Sequence, residues 1–137
     1  MTSSREHAVR YKQALEKYIL DHGYEIGVLV AFSGTIRDGA AEWTESNMNK
    51  FPDSQTANEF DTDDYHILVV AEKFQTGFDQ PLLYAMYVDK TVTGLAAVQT
   101  LSRLNRIHEN KDGTFILDFR NDADEVRDAF EPWYGKT

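Results

Sequence analysis

Gln99, Arg103 and Arg106 recur at spacings of four and three residues, so a helix of 3.6 residues per turn carries one amide and two guanidiniums on a single face. Ala97, Leu101 and Leu104 fall on the opposite face, where they can pack against a sheet. A helix anchored by leucines and presenting two arginines suits a polyphosphate. Guanidinium stays charged, forks onto phosphate oxygens and stabilises the charge that builds up during phosphoryl transfer. Two solvated surface arginines are the plain alternative for this helix taken alone.

Upstream, the apolar run Ile67-Leu68-Val69-Val70-Ala71 leads into Glu72-Lys73-Phe74-Gln75-Thr76-Gly77-Phe78-Asp79-Gln80-Pro81. In open α/β sheets, ligands bind beyond the carboxyl ends of the strands, which places a site at this loop. Gly77 permits a close backbone approach or a positive φ, and Asp79 offers a carboxylate suited to a ribose hydroxyl or a cation. The loop is weak evidence alone; followed by the arginine helix it is much stronger.

On these two stretches the chain resembles the second RecA-like motor domain of superfamily 2 helicases and translocases. More closely, it resembles the restriction (motor, R) subunit of type I restriction–modification enzymes. Residues Ile67 to Asp89 are similar to that family's fifth helicase motif with its following strand, and Val98 to Asp118 to its sixth. The segments Val30 to Gly34 and Thr44 to Asn49 are also similar, less specifically, and the likeness runs from Thr2 to about Asn121. Residues Phe78 to Leu83 and Met86 to Lys90 favour the restriction subunit over another motor of the superfamily, such as a repair or chromatin-type translocase.

The resemblance implies roles residue by residue. Arg103 and Arg106 would be arginine fingers on the γ-phosphate of ATP, with Gln99 positioning that phosphate or the attacking water. Gly77 and Asp79 would bind nucleotide, and Gln75 and Thr76 would couple it to DNA. Ser33 and Gly34 would lie along the DNA backbone, and Thr2, Ser3 and Ser4 would match a phosphate-touching loop. ATP and Mg2+ would be held with a first RecA-like domain carrying the P-loop and the acidic box. Neither motif occurs in this sequence, so the chain alone is expected to bind no cofactor and to hydrolyse no ATP. The implied partners are that domain and a nuclease domain of the same subunit, methyltransferase and specificity subunits, and double-stranded DNA.

The elements needed to position these residues alternate between helix and strand. Periodicity predicts helices over 4–21, 55–61, 94–107 and 122–130, and strands over 26–32, 65–71, 84–88 and 114–119. Residues 35–54 read as an irregular polar stretch, and 74–80 as a loop or short helical turn. The near-continuous apolar runs at 67–71 and 115–117 suggest parallel strands covered on both faces. The expected fold is α/β: a three-layer RecA-like (P-loop NTPase-type) domain with a mainly parallel sheet, spanning 1–137 as one C-terminal helicase domain. Ser3 to Glu6 reads as a capping box, with Ala8, Tyr11, Leu15, Tyr18 and Ile19 as the buried face of the helix and Gly23 as its stop. The family's first strand would therefore be truncated, as in an excised domain, leaving a sheet edge to cover.

Composition narrows the alternatives. The 42% hydrophobic content, with 8 Phe, 7 Tyr and 2 Trp, argues against disorder. There is no cysteine, hence no disulfide, thiolate nucleophile or zinc ribbon. No apolar run approaches the ~20 residues of a membrane span, so no membrane partner and a cytoplasmic location are expected. The charge of −9 speaks against strong autonomous DNA binding, since affinity for nucleic acid comes largely from neutralised phosphates. His7, His22, His66 and His108 lack metal-ligand spacing, and Asp61, Asp63 and Asp64 lack the rest of a calcium loop. The terminal Gly135-Lys136-Thr137 has neither the earlier glycine nor the following helix of a P-loop. Glu42 and Glu45 show no sign of a raised pKa that would make them a catalytic pair. A non-enzymatic α/β module, such as a receiver, would need an acidic cluster at strand ends that Asp118 does not complete.

Overall fold

The computed structural model describes residues 1–73, 80, 82–104 and 113–134, without the side chains of Leu101, Leu104, Phe130, Trp133 and Tyr134. It is a mixed α/β structure built on parallel strand pairs, compatible with a RecA-like α/β domain. The chain divides into two compact units, Thr2–Phe74 and Gln75–Thr137 with Met1.

The first unit opens with α1 (Arg5–His22). Its N-cap is Ser4, whose Oγ accepts from the His7 backbone N–H at 3.1 Å. The cap lies one residue later than the Ser3–Glu6 pattern predicts. Ser3 Oγ instead meets His7 Nδ1 at 2.7 Å, and Glu6 pairs with Arg10 one turn along the helix. Gly23 stops the helix as expected, at φ 69°, with its N–H returned to the last turn. The buried face differs from the predicted one: Ala8, Val9 and Lys12 are buried and Leu15 and Ile19 half-buried, while Tyr11 and Tyr18 are exposed. The Lys12 stem packs inward while its ammonium reaches Glu16 at 2.6 Å, whereas Tyr18 stacks on the His22 ring.

α1 packs across β1 (Val28–Ala31) and its parallel partner β4 (Ile67–Val70), registered Val28 to Ile67 through Ala31 to Val70. All four residues of β1 are buried, and the core continues through Phe32, Met48, Val69 and Ala71. Each large side chain buried here contributes about 1.5–3 kcal/mol. Gly27 lets the two strands begin side by side: a Cβ there would lie 2.0 Å from the Asp64 carbonyl oxygen. Thr2 is buried too, its N–H donating to the Val70 carbonyl at 2.9 Å.

The polar stretch 35–54 is more ordered than its composition predicts. It holds an antiparallel hairpin of β2 (Ile36–Asp38) and β3 (Ala41–Trp43), turning at Gly39 with φ 66°. Helix α2 (Glu45–Asn49) follows, then a 3₁₀ turn at Asp53–Gln55 and α3 (Thr56–Phe60). A full capping box starts α2: Thr44 Oγ1 accepts from the Asn47 N–H, and Asn47 Oδ1 accepts from the Thr44 N–H. Among the described residues β1 pairs only with β4, and α2 closes its other side with side chains instead of a strand. Asn49 accepts from the Val30 N–H at 2.9 Å and donates to the Val30 carbonyl at 2.7 Å. One helical turn away, Glu45 accepts from the Phe32 N–H at 2.9 Å.

The second unit pairs β5 (Ala85–Val88) in parallel with β6 (Phe115–Asp118). Met1 adds one residue alongside β5, its amine donating to the Tyr87 carbonyl and its own carbonyl accepting from the Asp89 N–H. Burial pushes this amine down to about 6, against the pull of the Asp89 carboxylate. Helix α4 (Gly94–Leu101) packs on α5 (Ala123–Tyr134), around a small core of Met86, Val88, Val92 and Ala97. The predicted coverage of β6 on both faces does not hold in this chain, where Phe115, Ile116 and Leu117 are each more than two-fifths exposed. Asn121 closes the turn after β6: it donates to Asp118 and to the Lys90 carbonyl and accepts from the Val92 N–H.

Candidate functional site

In the first unit, four of the predicted DNA-facing residues gather at one end of the β1–β4 pair. Ser3 and Ser4 begin α1, and Ser33 and Gly34 follow β1. Arg5 joins the two segments, its Nη1 donating to the Ser33 carbonyl at 2.9 Å. Gly34 has φ 77°, and a Cβ there would approach Arg5 Nη1 to 2.8 Å, so glycine serves both the backbone and the guanidinium above it. Ser33 and Gly34 are exposed, Ser3 is exposed and Ser4 half-buried. Thr2 behaves differently: its hydroxyl lies 2.9 Å from the Val70 carbonyl and 3.1 Å from that of Ser4, which makes it part of the packing.

Behind this surface sits a buried charge cluster. Glu45 is 2% exposed and receives Phe32 N–H and Lys73 Nζ on Oε1, at 2.9 and 2.8 Å, and Thr56 Oγ1 on Oε2 at 2.5 Å. A carboxylate taken out of water is costly unless its lone pairs are engaged, and here three donors from three separate segments of the chain engage it. Glu42 is no partner to it: it faces outward from β3 and pairs with Arg37 at 2.8 Å. Glu72, between β4 and Lys73, takes φ 57°, a left-handed conformation that favours glycine.

In the second unit, Gln99 is exposed near the end of α4 and Arg103 is half-buried just beyond it. The α-helix ends at Leu101 and tightens into a 3₁₀ turn at Ser102–Leu104, so the predicted regular helix through 107 changes pitch before Arg103. The Nε of Arg103 is withdrawn from solvent, and burial pushes its pKa below the ordinary guanidinium value, with charge retained at neutral pH. Arg106, Gln75, Thr76, Gly77 and Asp79 lie outside the described residues, as do His108 and the terminal Gly135-Lys136-Thr137. Among the described residues, no cluster of His, Asp or Glu is arranged to hold a metal, and no helix is long and apolar enough to cross a membrane.

Sequence reasoning missed Arg5, Glu45, Asn49, Thr56 and Lys73 as positioning residues. The T-x-x-N pattern at 44–47 announces the α2 cap, and Glu45 and Asn49 at i and i+4 share a face. Nothing in the sequence announces that this polar face turns inward.

The sequence model of one family, described as Type I restriction enzyme subunit R domain 3, matches residues 2–121. Among curated relatives, the Type I restriction enzyme HindI endonuclease subunit of Haemophilus influenzae is 33% identical over 78 residues, covering 55% of this chain and 7% of that protein. A putative type I restriction enzyme MjaVIIP endonuclease subunit of Methanocaldococcus jannaschii is 26% identical over 137 residues, covering 80% of this chain and 12% of that protein. The SauCOLORF180P endonuclease subunit of Staphylococcus aureus is 39% identical over 64 residues, 46% of this chain and 7% of that protein. The chain belongs to the type I restriction enzyme subunit R domain 3 family. It spans roughly a tenth of the length of these relatives.

Proposed function

We propose that this chain is the second motor lobe of a type I restriction enzyme R subunit, coupling ATP hydrolysis to translocation along double-stranded DNA before endonucleolytic cleavage. The observation that carries this reading is the family match over residues 2–121, which spans both helicase-like stretches in their order. ATP and Mg2+ bind between this lobe and a first RecA-like domain of the same subunit. Arg103 and Arg106 reach the γ-phosphate as the lobes close, Gln99 orients the phosphate or the attacking water, and Gly77 and Asp79 meet the nucleotide. The partly buried guanidinium of Arg103 supports such a role, because a desolvated charge interacts more strongly with phosphate than a fully hydrated one.

On the DNA side, Ser3, Ser4, Ser33 and Gly34 offer small side chains and backbone N–H groups to a phosphate backbone, with Arg5 as the nearby cation. Gln75 and Thr76 link this contact to the nucleotide. With a net charge of −9, the chain contributes a few contacts to a grip completed elsewhere in the subunit. The remaining partners are a nuclease domain of the same subunit and the methyltransferase and specificity subunits. The lobe alone turns over no ATP.

Arg103→Ala in the intact subunit tests the reading. DNA-stimulated ATPase is expected to fall about 10³–10⁵-fold, with the circular dichroism spectrum and melting temperature retained. Turnover within a few-fold of the parent removes Arg103 from the catalytic assignment.

A further inference from the structure

We propose that Glu45 is a positioning residue for DNA coupling: it locks the exit of β1, which carries Ser33 and Gly34, to the exit of β4 at Lys73. This rests on the motor reading above and goes beyond it, because Glu45 touches neither nucleotide nor DNA in that scheme. The two strands are already paired through Ala31 and Val70, but each chain leaves the ladder within the next few residues. At that point Glu45 Oε1 takes the Phe32 N–H, one residue before Ser33, and the Lys73 ammonium, three residues beyond the end of β4. Thr56 fixes the other oxygen, so the carboxylate cannot swing to serve one strand without the other.

Two features point to a positioning role beyond packing. A buried ion pair is weak evidence for stability, since well-packed apolar residues of similar volume often do as well or better; what it adds is directional hold. The backbone also bends into the left-handed region at Glu72, φ 57°, immediately before Lys73. A non-glycine residue keeps that conformation only where its surroundings over-determine it, and the Lys73–Glu45 pair is one contact that follows the bend.

The test measures ATPase against duplex DNA concentration in the intact subunit for Glu45→Gln, Lys73→Gln, the double variant and Lys73→Arg. Glu45→Gln preserves shape and an acceptor for the Phe32 N–H while removing the charge that holds Lys73. Half-saturating DNA concentration is expected to rise about tenfold in each Gln variant. Turnover at saturating DNA should stay within about twofold. The double variant should be no worse than either single change, and Lys73→Arg should behave as the parent. Should Glu45→Gln fail to fold, Lys73→Gln and Lys73→Arg carry the test, since Lys73 is itself 24% exposed. Unchanged DNA dependence in Lys73→Gln, or additive losses in the double variant, overturns the proposal. Arg103→Ala run alongside separates the two failures: lost turnover there with unaltered Glu45 and Lys73 variants sinks only the positioning role, and retained turnover removes Arg103 from the catalytic assignment whatever the Glu45 and Lys73 variants do.

Discussion

Replacing Asn49 with alanine tests whether α2 does the work of a strand along the side of β1 opposite β4. Asn49 is 8% exposed, and its amide satisfies both the N–H and the carbonyl of Val30, which is fully buried. Truncation leaves a donor and an acceptor with no partner on that side of the strand. Each unsatisfied buried group costs about 1–3 kcal/mol, so the loss should be about 2–6 kcal/mol. Water entering the space left by the amide would bring it toward the lower figure. For a chain of this size, that corresponds to a fall of roughly 6–24 °C in melting temperature. Asn49→Asp separates the two bonds, because it keeps the acceptor for the Val30 N–H but turns the donor into a second oxygen facing a carbonyl. It should be at least as destabilising as alanine at neutral pH. Urea unfolding followed by far-ultraviolet circular dichroism gives the free energies, and amide exchange at Val30 reports the bond itself. A loss below about 0.5 kcal/mol, with Val30 exchange unchanged, would refute the idea that side chains stand in for a strand here.

Two further changes probe the same unit. Gly27→Ala forces a methyl to within 2.0 Å of the Asp64 backbone oxygen and 2.9 Å of the Tyr65 ring, neither able to withdraw cheaply. It should cost about 3 kcal/mol or more, read as a lowered urea midpoint with the slope conserved. Lys50→Gly should do the opposite: Lys50 is exposed and ends α2 at φ 68°, so glycine removes a left-handed penalty and should raise stability by about 0.5–1 kcal/mol in a thermal melt.

The parts that could be read from sequence were those whose residues obey one pattern. The apolar run at 67–71 and the predicted strand at 26–32 became a parallel pair, with β1 buried throughout, and Gly23 stopped α1 in the left-handed conformation predicted for it. The parts that escaped depend on polar residues turning inward. Lys12 takes a place in the core that Tyr11 was expected to fill, because a long aliphatic stem can be buried while its ammonium reaches Glu16. The stretch 35–54 looked irregular because its strands are three residues long, too short for alternation to register, and its helix is held by Thr44, Glu45 and Asn49 instead of an apolar face. At the candidate site, Ser3, Ser4, Ser33 and Gly34 were singled out through family likeness, and the structure places the first two at the start of α1 and the others after β1, with Arg5 joining the segments. Arg5 and the Glu45–Lys73 pair were not, since spacings of 28 residues leave no periodic trace. The arginine helix was legible in position but not in pitch, because a 3.6-residue period gives no warning of the 3₁₀ turn at Ser102.

The most direct measurement is a structure of the intact R subunit with duplex DNA, Mg2+ and a non-hydrolysable ATP analogue. The account predicts the Arg103 guanidinium within hydrogen-bond distance of a γ-phosphate oxygen, about 2.7–3.2 Å. It also predicts the nucleotide bridging this lobe and the P-loop domain, with Ser33 and Gly34 against the DNA backbone. A nucleotide bound with Arg103 far from its phosphates, or DNA running over another face, would contradict the motor assignment made for this chain.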